Sequence, residues 1–352
     1  MCELDLPLKF AQKLYNEFAI RHPNAFYLRT RQRGMQNWDG KIHYITKTGQ
    51  FKIGLLPKVY DMCIEMGIKP KVVDMRQPLP KVSKVVTKIG KYKLRPEQEK
   101  AVKAVINNTI GGKPFHIGVL DYTVNAGKTL IMSSLYLSYK KQLKTLLITN
   151  DSDWLNQARE EFKQYLPGED ITFVQGKVLN WSNFTIGMVQ SISRNMRFYQ
   201  KELSQIDMVL IDEADQGGSR QYQNVITRLF NTRIRIGLSG TIYMSKLAKD
   251  KVKNMNLECF FGKVLAEFKL RDSIKKGYST KTVVKMVPGK PWYGNWESDC
   301  ISYKEIYDDS ITNSYTAWLM AYSRLRWNIN QGRYPALVVC KHIAHCENLY
   351  KF

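Results

Sequence analysis

Met208-Val209-Leu210-Ile211-Asp212-Glu213-Ala214-Asp215 sets four apolar residues directly against three carboxylates. A short apolar run closed abruptly by acids reads as a buried strand that ends at a ligand-facing sheet edge. Adjacent carboxylates repel each other unless a cation joins them. Asp212 is therefore a candidate Mg²⁺ ligand, and Glu213 a candidate base that orients and deprotonates an attacking water. The alternative is a solvated acidic turn. What favours the first reading is Lys128, which stands 84 residues upstream in Gly127-Lys128-Thr129, between an apolar run and a helical pattern.

Phosphate binding calls for inward-facing backbone N–H groups, a helix start behind them and a mobile cation. In Tyr122-Thr123-Val124-Asn125-Ala126-Gly127-Lys128-Thr129, Gly127 lets the backbone approach phosphates and Lys128 can reach the β- and γ-phosphates. The Thr129 hydroxyl can ligate Mg²⁺. The first Gly of the strict GxxxxGK[ST] pattern is missing, and Asn125 is expected to supply the left-handed conformation in its place. Without its strand-loop-helix setting the triplet would be an ordinary helix start. Ser239-Gly240-Thr241 closes a later strand, where Ser239 and Thr241 can hydrogen-bond toward Asp215 and relay nucleotide state; alone, such a cluster is usually a turn. In Leu94-Arg95-Pro96-Glu97-Gln98, Gln98 has the donor and acceptor needed to read an adenine edge. The bland reading is helix-start chemistry with Pro near the first position.

Outward from these residues the rhythm is α/β. Helix over Pro96–Ile106, strand over Ile117–Leu120, helix over Thr129–Lys140, strand over Thr145–Ile148 and helix over Trp154–Tyr165 are expected in turn. Further strands are expected over Phe184–Val189, Met208–Ile211 and Arg233–Leu238. Such alternation implies a parallel sheet with helices on both faces. Residues 1–90 read as a small α+β unit. It has helices over Pro7–Ile20 and Gly54–Met66, strands at Tyr27–Arg29 and Lys41–Ile45, a turn at Asp39-Gly40, and a linker over Gln77–Ser83. After about residue 265 a second α/β unit begins, with strands over Lys281–Met286 and Ala336–Cys340 and a long helix or pair over Tyr303–Gln331.

The formal net charge is +23 over 352 residues, and residues 1–93 hold 18 Lys/Arg against 7 Asp/Glu. A field of that sign attracts polyanions. The basic residues are scattered among aromatics and not gathered on one amphipathic helix, which disfavours a membrane surface. Arg29, Arg31, Arg33, Trp38, Lys41, His43, Lys47 and Lys52 form a candidate nucleic-acid patch of cations with interleaved aromatics. For any single Arg, a solvated charged face is the simpler reading. No run reaches the roughly 18 apolar residues of a membrane span. The N-terminus has no signal-peptide pattern, so a cytoplasmic protein is expected. Six cysteines without a CxxC pair read as reduced thiols. The spacing in Cys340-Lys341-His342-Ile343-Ala344-His345-Cys346 fits no usual zinc finger.

Taken together, these residues resemble a superfamily 2 helicase. Gln98 resembles the adenine-reading Q position, Lys128 and Thr129 motif I, Gln157 motif Ia and Gln190 motif Ib. Asp212 to Asp215 resemble motif II, and Ser239 to Thr241 motif III. A closer likeness is to the UvsW family of recombination and repair helicases of tailed phages. It is carried by Asn37-Trp38-Asp39-Gly40-Lys41, Gly237-Leu238-Ser239-Gly240 and Val338-Val339-Cys340-Lys341-His342-Ile343-Ala344-His345.

The resemblance implies a RecA-like parallel sheet core over residues 91–264, with a basic nucleic-acid-binding domain before it and a partial second RecA-like domain over 265–352. It implies ATP and Mg²⁺ as cofactors, with Arg95, Gln98 and Asn125 to Thr129 at the nucleotide. It implies DNA, branched or double-stranded, as partner, RNA–DNA hybrids as a further substrate, no membrane, and the host cytoplasm as location if the chain is phage-encoded. Arg31, Arg33, Trp38, Lys41, Gln157 and Gln190 are the implied nucleic-acid contacts.

Three departures stand out. Motif I usually has Thr-Gly where this chain has Val124-Asn125, and motif Ia usually has Pro-Thr where it has Asn150-Asp151. The sequence also stops just past what resembles motif IV, without motifs V and VI and their γ-phosphate arginines. A second chain that completes the domain, or a truncated remnant, is the expectation. Three readings stay open: an ATP-driven motor, an ATP- and DNA-binding module without turnover, and the motor subunit of a restriction complex.

Overall fold

The structure, a computed structural model, describes residues 2–4, 7–31, 34–139, 142–176, 178–242, 248–281, 302–332 and 338–351. It divides into two compact units, Met1–Lys281 and Thr282–Phe352.

The first unit is built on an eight-stranded sheet. In chain order its strands are β1 (His116–Tyr122), β2 (Thr145–Thr149), β3 (Ile171–Gln175), β4 (Val178–Leu179), β5 (Phe184–Met188), β6 (Met208–Asp212), β7 (Ile234–Ser239) and β8 (Val264–Phe268). Their spatial order is β4-β3-β5-β2-β6-β7-β1-β8, with β4 antiparallel at one edge and the other seven parallel. This is a RecA-like core.

Period-two alternation divides the apolar side chains between two faces. Met208 and Leu210 of β6 enter one hydrophobic cluster, and Val209 and Ile211 enter the other. On the first face lie α3 (Pro96–Ile106), α4 (Lys128–Ser138) and α5 (Ser152–Tyr165). Their Val102, Ile131 and Phe162 fill that cluster.

The opposite face is covered partly by the N-terminal segment. Leu14 and Phe18 come from α1 (Leu8–Glu17) and its C-terminal flank, and Val59 and Cys63 from α2 (Leu56–Glu65). They share one core with Ile211, Val225 of α6 (Arg220–Ile226), and Leu257 and Phe261 of α7 (Ala248–Phe261). Gly54 marks how close the approach is. A Cβ there would lie 2.1 Å from the Glu258 carbonyl oxygen, so only glycine fits. Lys58 and Glu258 pair at 2.6 Å beside it. The basic segment is thus buttressed on the sheet.

The expected strand at Tyr27–Arg29 is instead helix, Ala25–Arg31. Ala25 is buried under Gly40, whose Cβ would be 3.1 Å from the Ala25 Cβ, and this tertiary contact overrides the β preference of Tyr27. The ribbon here is formed by Ala19–Arg21 against Lys41–His43. Asp39-Gly40 makes the expected turn, with Gly40 at φ 78 and the Asp39 carboxylate accepting from the Lys41 amide at 2.9 Å. The sheet also runs past residue 264, because β8 pairs with β1.

In the second unit most of the described residues are helical. Tyr303–Tyr307 opens on a capping box, in which Ser302 Oγ accepts from the Glu305 amide and Glu305 accepts from the Ser302 amide. A wider turn over Asp308–Thr312 follows, then helices Tyr315–Asn330 and Ile343–Lys351. The expected helix pair is therefore present. Residues 338–340 are irregular rather than strand, while 336–337 and the strand expected from 282 onward lie outside the described residues. Tyr307 packs its ring edge-on to His342 and His345, so those histidines face an aromatic ring.

Candidate nucleotide site

The loops after β1, β6 and β7 leave the same end of the sheet, since these strands are parallel neighbours in the order β6-β7-β1. Ligands of open parallel sheets bind at that carboxyl end. Between β1 and α4 the chain turns through Asn125 at φ 64 and Gly127 at φ 73. Asn125 takes the left-handed conformation its place in the loop requires. A Cβ on Gly127 would sit 2.4 Å from Gln98 Nε2, so the close packing of the loop admits glycine alone.

Gln98 and Arg95 brace this loop from behind. Gln98 Oε1 accepts from the Arg95 amide at 2.8 Å and caps α3. Gln98 Nε2 donates to the Ala126 carbonyl at 2.8 Å, and Arg95 Nη2 donates to the Asn125 carbonyl at 3.1 Å. The helix-start reading and a loop-supporting role are therefore both real. Gln98 keeps one amide hydrogen free of these bonds.

Lys128 Nζ lies 3.3 Å from Glu213 Oε1 and 3.7 Å from Asp212 Oδ1. Asp212 is only 3% exposed as a side chain, whereas Glu213 is 44% exposed. Burial pushes the Asp212 carboxyl up to about 6; Lys128 pulls it down, and Glu213 raises it. Asp212 Oδ1 is buried without a hydrogen-bond partner among the described residues. A buried acceptor in that condition costs roughly 1–3 kcal/mol, more when charged. Glu213 itself sits at φ 50, a strained position for a side-chain-bearing residue, as the chain passes from strand to a tight turn at Ala214–Gln216. Strain and an orphaned carboxylate oxygen in one place are marks of a ligand site.

That donor set fits a hard divalent cation. Asp212 and the Thr129 hydroxyl would supply oxygen ligands, and Mg²⁺ usually keeps several waters and binds through only one or two carboxylates. Among the described residues no group of three or more His, Cys, Asp or Glu is placed to hold a metal unaided.

Ser239 Oγ donates to Asp215 Oδ1 at 3.0 Å, and the Thr241 amide donates to Ser239 Oγ at 3.2 Å. The acidic turn and the end of β7 are thus mechanically joined. Gln190 Nε2 donates to the Asn150 carbonyl at 3.3 Å, whereas Gln157 is exposed and donates to Glu161 on its own helix. Asp151 caps α5 by accepting from the amides of Asp153 and Trp154. Its carboxylate is turned inward on the helix start, where the dipole favours it.

Among the basic residues, Trp38 donates its indole N–H to the Lys41 carbonyl at 2.9 Å and meets His22 edge-on, so it pins the turn. His43 stacks on Tyr15 at 3.8 Å and contacts Asp39 at 2.7 Å. Arg31 lies over the Tyr27 ring at 4.9 Å. Arg33 lies outside the described residues.

Two neighbours of the site are invisible in sequence. Tyr278 lies under the Arg95 guanidinium at 4.3 Å, and the buried Tyr222 hydroxyl is held protonated by burial and by Asp212, Asp215 and Glu213. Both are brought in by tertiary packing over long separations. A third, Asp121, pairs with Lys269 and is nearly fully buried. It is not among the residues singled out from sequence.

Residues 91–244 match the family described as "Type III restriction enzyme, res subunit". Among solved structures, the UvsW helicase from bacteriophage T4 superposes with a TM-score of 0.59 at 20% identity, covering 75% of this chain and 95% of that one. The chain is similar in fold to this helicase. A second structure of T4 UvsW gives 0.57 at 19% identity, over 99% of this chain and 69% of that one. At these identities the likeness to UvsW fixes the fold. No curated protein sequence matches the chain. Among the described residues no helix is long and apolar enough to cross a membrane.

Proposed function

We propose that this chain is an ATP-driven DNA translocase of the helicase type that remodels branched DNA, as the UvsW likeness suggests. The observation that carries the reading is the convergence of Lys128, Asp212 and Glu213 behind a braced, glycine-hinged loop. Backbone N–H groups of Ala126 to Thr129 cradle phosphates, and Lys128 leaves its carboxylate partners to neutralise the terminal ones. Asp212 and Thr129 hold Mg²⁺, which when bound would offset the charge building on the phosphates. Glu213, the more exposed acid, orients water and takes its proton. Ser239 then reports the state of the acidic turn through Asp215.

Steady-state ATP hydrolysis with and without forked DNA tests this. Stimulation by DNA, abolished in both Lys128→Ala and Glu213→Gln, is expected. Equal near-zero rates for all three proteins would instead favour a second reading, an ATP- and DNA-binding module without turnover. One observation leans that way: Val124 is 68% exposed in the phosphate loop, where motif I usually carries a Thr hydroxyl. The restriction-motor reading uses the same engine and needs a nuclease partner.

A further inference from the structure

An open cleft of about 540 Å³ lies in the basic N-terminal segment, lined among others by Arg21, Phe26, Arg29, Gln36, Asp39 and Lys41. Its walls are the first ribbon strand, the Ala25–Arg31 helix and the turn before Lys41. Three cations face one carboxylate. That carboxylate, Asp39, is already engaged by His43 and by the Lys41 amide, so the cleft keeps a net positive lining.

Phe26 is 80% exposed on this wall. Single exposed apolar residues are ordinary. This one differs because it is a flat π-face set among cations, next to a half-exposed Tyr27 that already carries Arg31 on its ring. Such a combination suits strands whose bases are free to stack and whose phosphates need neutralising. A paired duplex offers the phosphates without the base face. The aromatic that sequence singled out, Trp38, is spent on holding the turn, which leaves Phe26 as the available stacking surface.

We infer that this cleft receives an unpaired nucleotide of the DNA substrate, with its base stacked on Phe26 and its flanking phosphates held by Arg21, Arg29 and Lys41. The inference rests on the nucleic-acid partner proposed above. It adds that the N-terminal segment reads single-stranded character, so the protein distinguishes a junction or fork from plain duplex before any ATP is consumed.

Fluorescence anisotropy of the full chain, without nucleotide, tests it with three probes: a single-stranded oligonucleotide, the same oligonucleotide built of abasic sites, and a blunt duplex. Phe26→Ala should weaken single-strand binding roughly 5- to 150-fold, the range expected for loss of one base stack. It should leave the duplex within about twofold, and Phe26→Trp should restore the loss. Abasic DNA should bind wild type and Phe26→Ala alike. Because Phe26 is exposed, both variants keep the core. Quenching of a 2-aminopurine in the single strand by wild type, absent in Phe26→Ala, reports the stack independently. Equal weakening of single strand and duplex, or no change in either, overturns the inference. Lys128→Ala should bind all three probes like wild type, so a failed ATPase assay and a failed stacking assay remain separate results.

Discussion

Two carboxylates, Asp74 and Asp212, each paired with a cation, lie toward opposite ends of the sheet, and their carboxyls are shifted in opposite directions. Near the amino end of β7, burial raises Asp74, but hydrogen bonds and charge from Arg76, with Arg233 behind them, outweigh it and hold the carboxyl below its ordinary value. Arg76 pairs with Asp74 at 2.7 Å and Arg233 pairs with the same carboxylate at 3.4 Å, while Arg233 also donates to the Arg76 and Gln77 carbonyls. Toward the carboxyl end of β6, burial wins at Asp212 in spite of Lys128, and one carboxylate oxygen has no hydrogen bond. The first cluster is complete and ties the segment before Gln77 to the sheet. The second leaves a buried oxygen without a hydrogen bond, which a bound Mg²⁺ would meet under the function proposed above.

The largest expected effect breaks the incomplete end. Lys128→Ala should lower DNA-stimulated ATP hydrolysis by roughly 10²–10³-fold, as loss of a positioned charge does elsewhere. Glu213→Gln should fall by a similar factor, within the range for a general base, while nucleotide binding survives. A malachite-green phosphate assay checks both. Stability should hardly move, which separates this end from the other.

Next comes Asp212→Asn, where activity and stability part. The native carboxyl sits near 6 and the unfolded one near its ordinary value, so the folded state holds its proton longer. The penalty for burying the charge is absent below about pH 4, grows as pH rises, and is full above pH 6, at up to roughly 3 kcal/mol. Asp212→Asn should therefore raise Tm at pH 7.5 and leave it unchanged at pH 4, while Mg²⁺-dependent hydrolysis is lost. Mg²⁺ with ATP should raise the Tm of wild type more than that of the variant. A lower Tm at neutral pH would mean that the Lys128 contact, not burial, governs Asp212.

The complete end should behave in reverse. Asp74→Asn should cost about 1–3 kcal/mol at neutral pH, visible as a lower denaturant midpoint. ATPase per folded molecule should be unchanged. Because the native Asp74 carboxyl is held low, its contribution is present above the ordinary carboxylate range and fades as pH falls through it. The smallest effect is expected for Ser239→Ala. It loses the hydroxyl's hydrogen bonds to Asp215 and from the Thr241 amide, each worth about 1 kcal/mol, and should blunt the stimulation of ATPase by DNA more than the basal rate.

The contrast also explains what the sequence made legible. β6 and the loop before α4 announced themselves because a buried central strand must be continuously apolar and a phosphate loop must contain glycine. β3 and β8 escaped notice. Ile171–Gln175 is half-buried beside the sheet edge and Val264–Phe268 forms the opposite edge, so neither needs an unbroken apolar run. Ala25–Arg31 was misread because its helicity depends on Ala25 fitting under Gly40. Asp212 and Lys128 were readable as chemistry, yet the brace from Gln98 and Arg95 and the ring of Tyr278 under Arg95 were not. No local pattern encodes a contact made across nearly two hundred residues.

Titration of a fluorescent ATP analogue with Mg²⁺ into wild type and Lys128→Ala at pH 7.5 tests the nucleotide site most directly. Saturable, Mg²⁺-dependent binding that weakens at least tenfold in Lys128→Ala is the expected result. Equal affinity in the two proteins, or binding indifferent to Mg²⁺, would contradict a triphosphate held between Lys128 and the acids at 212 and 213.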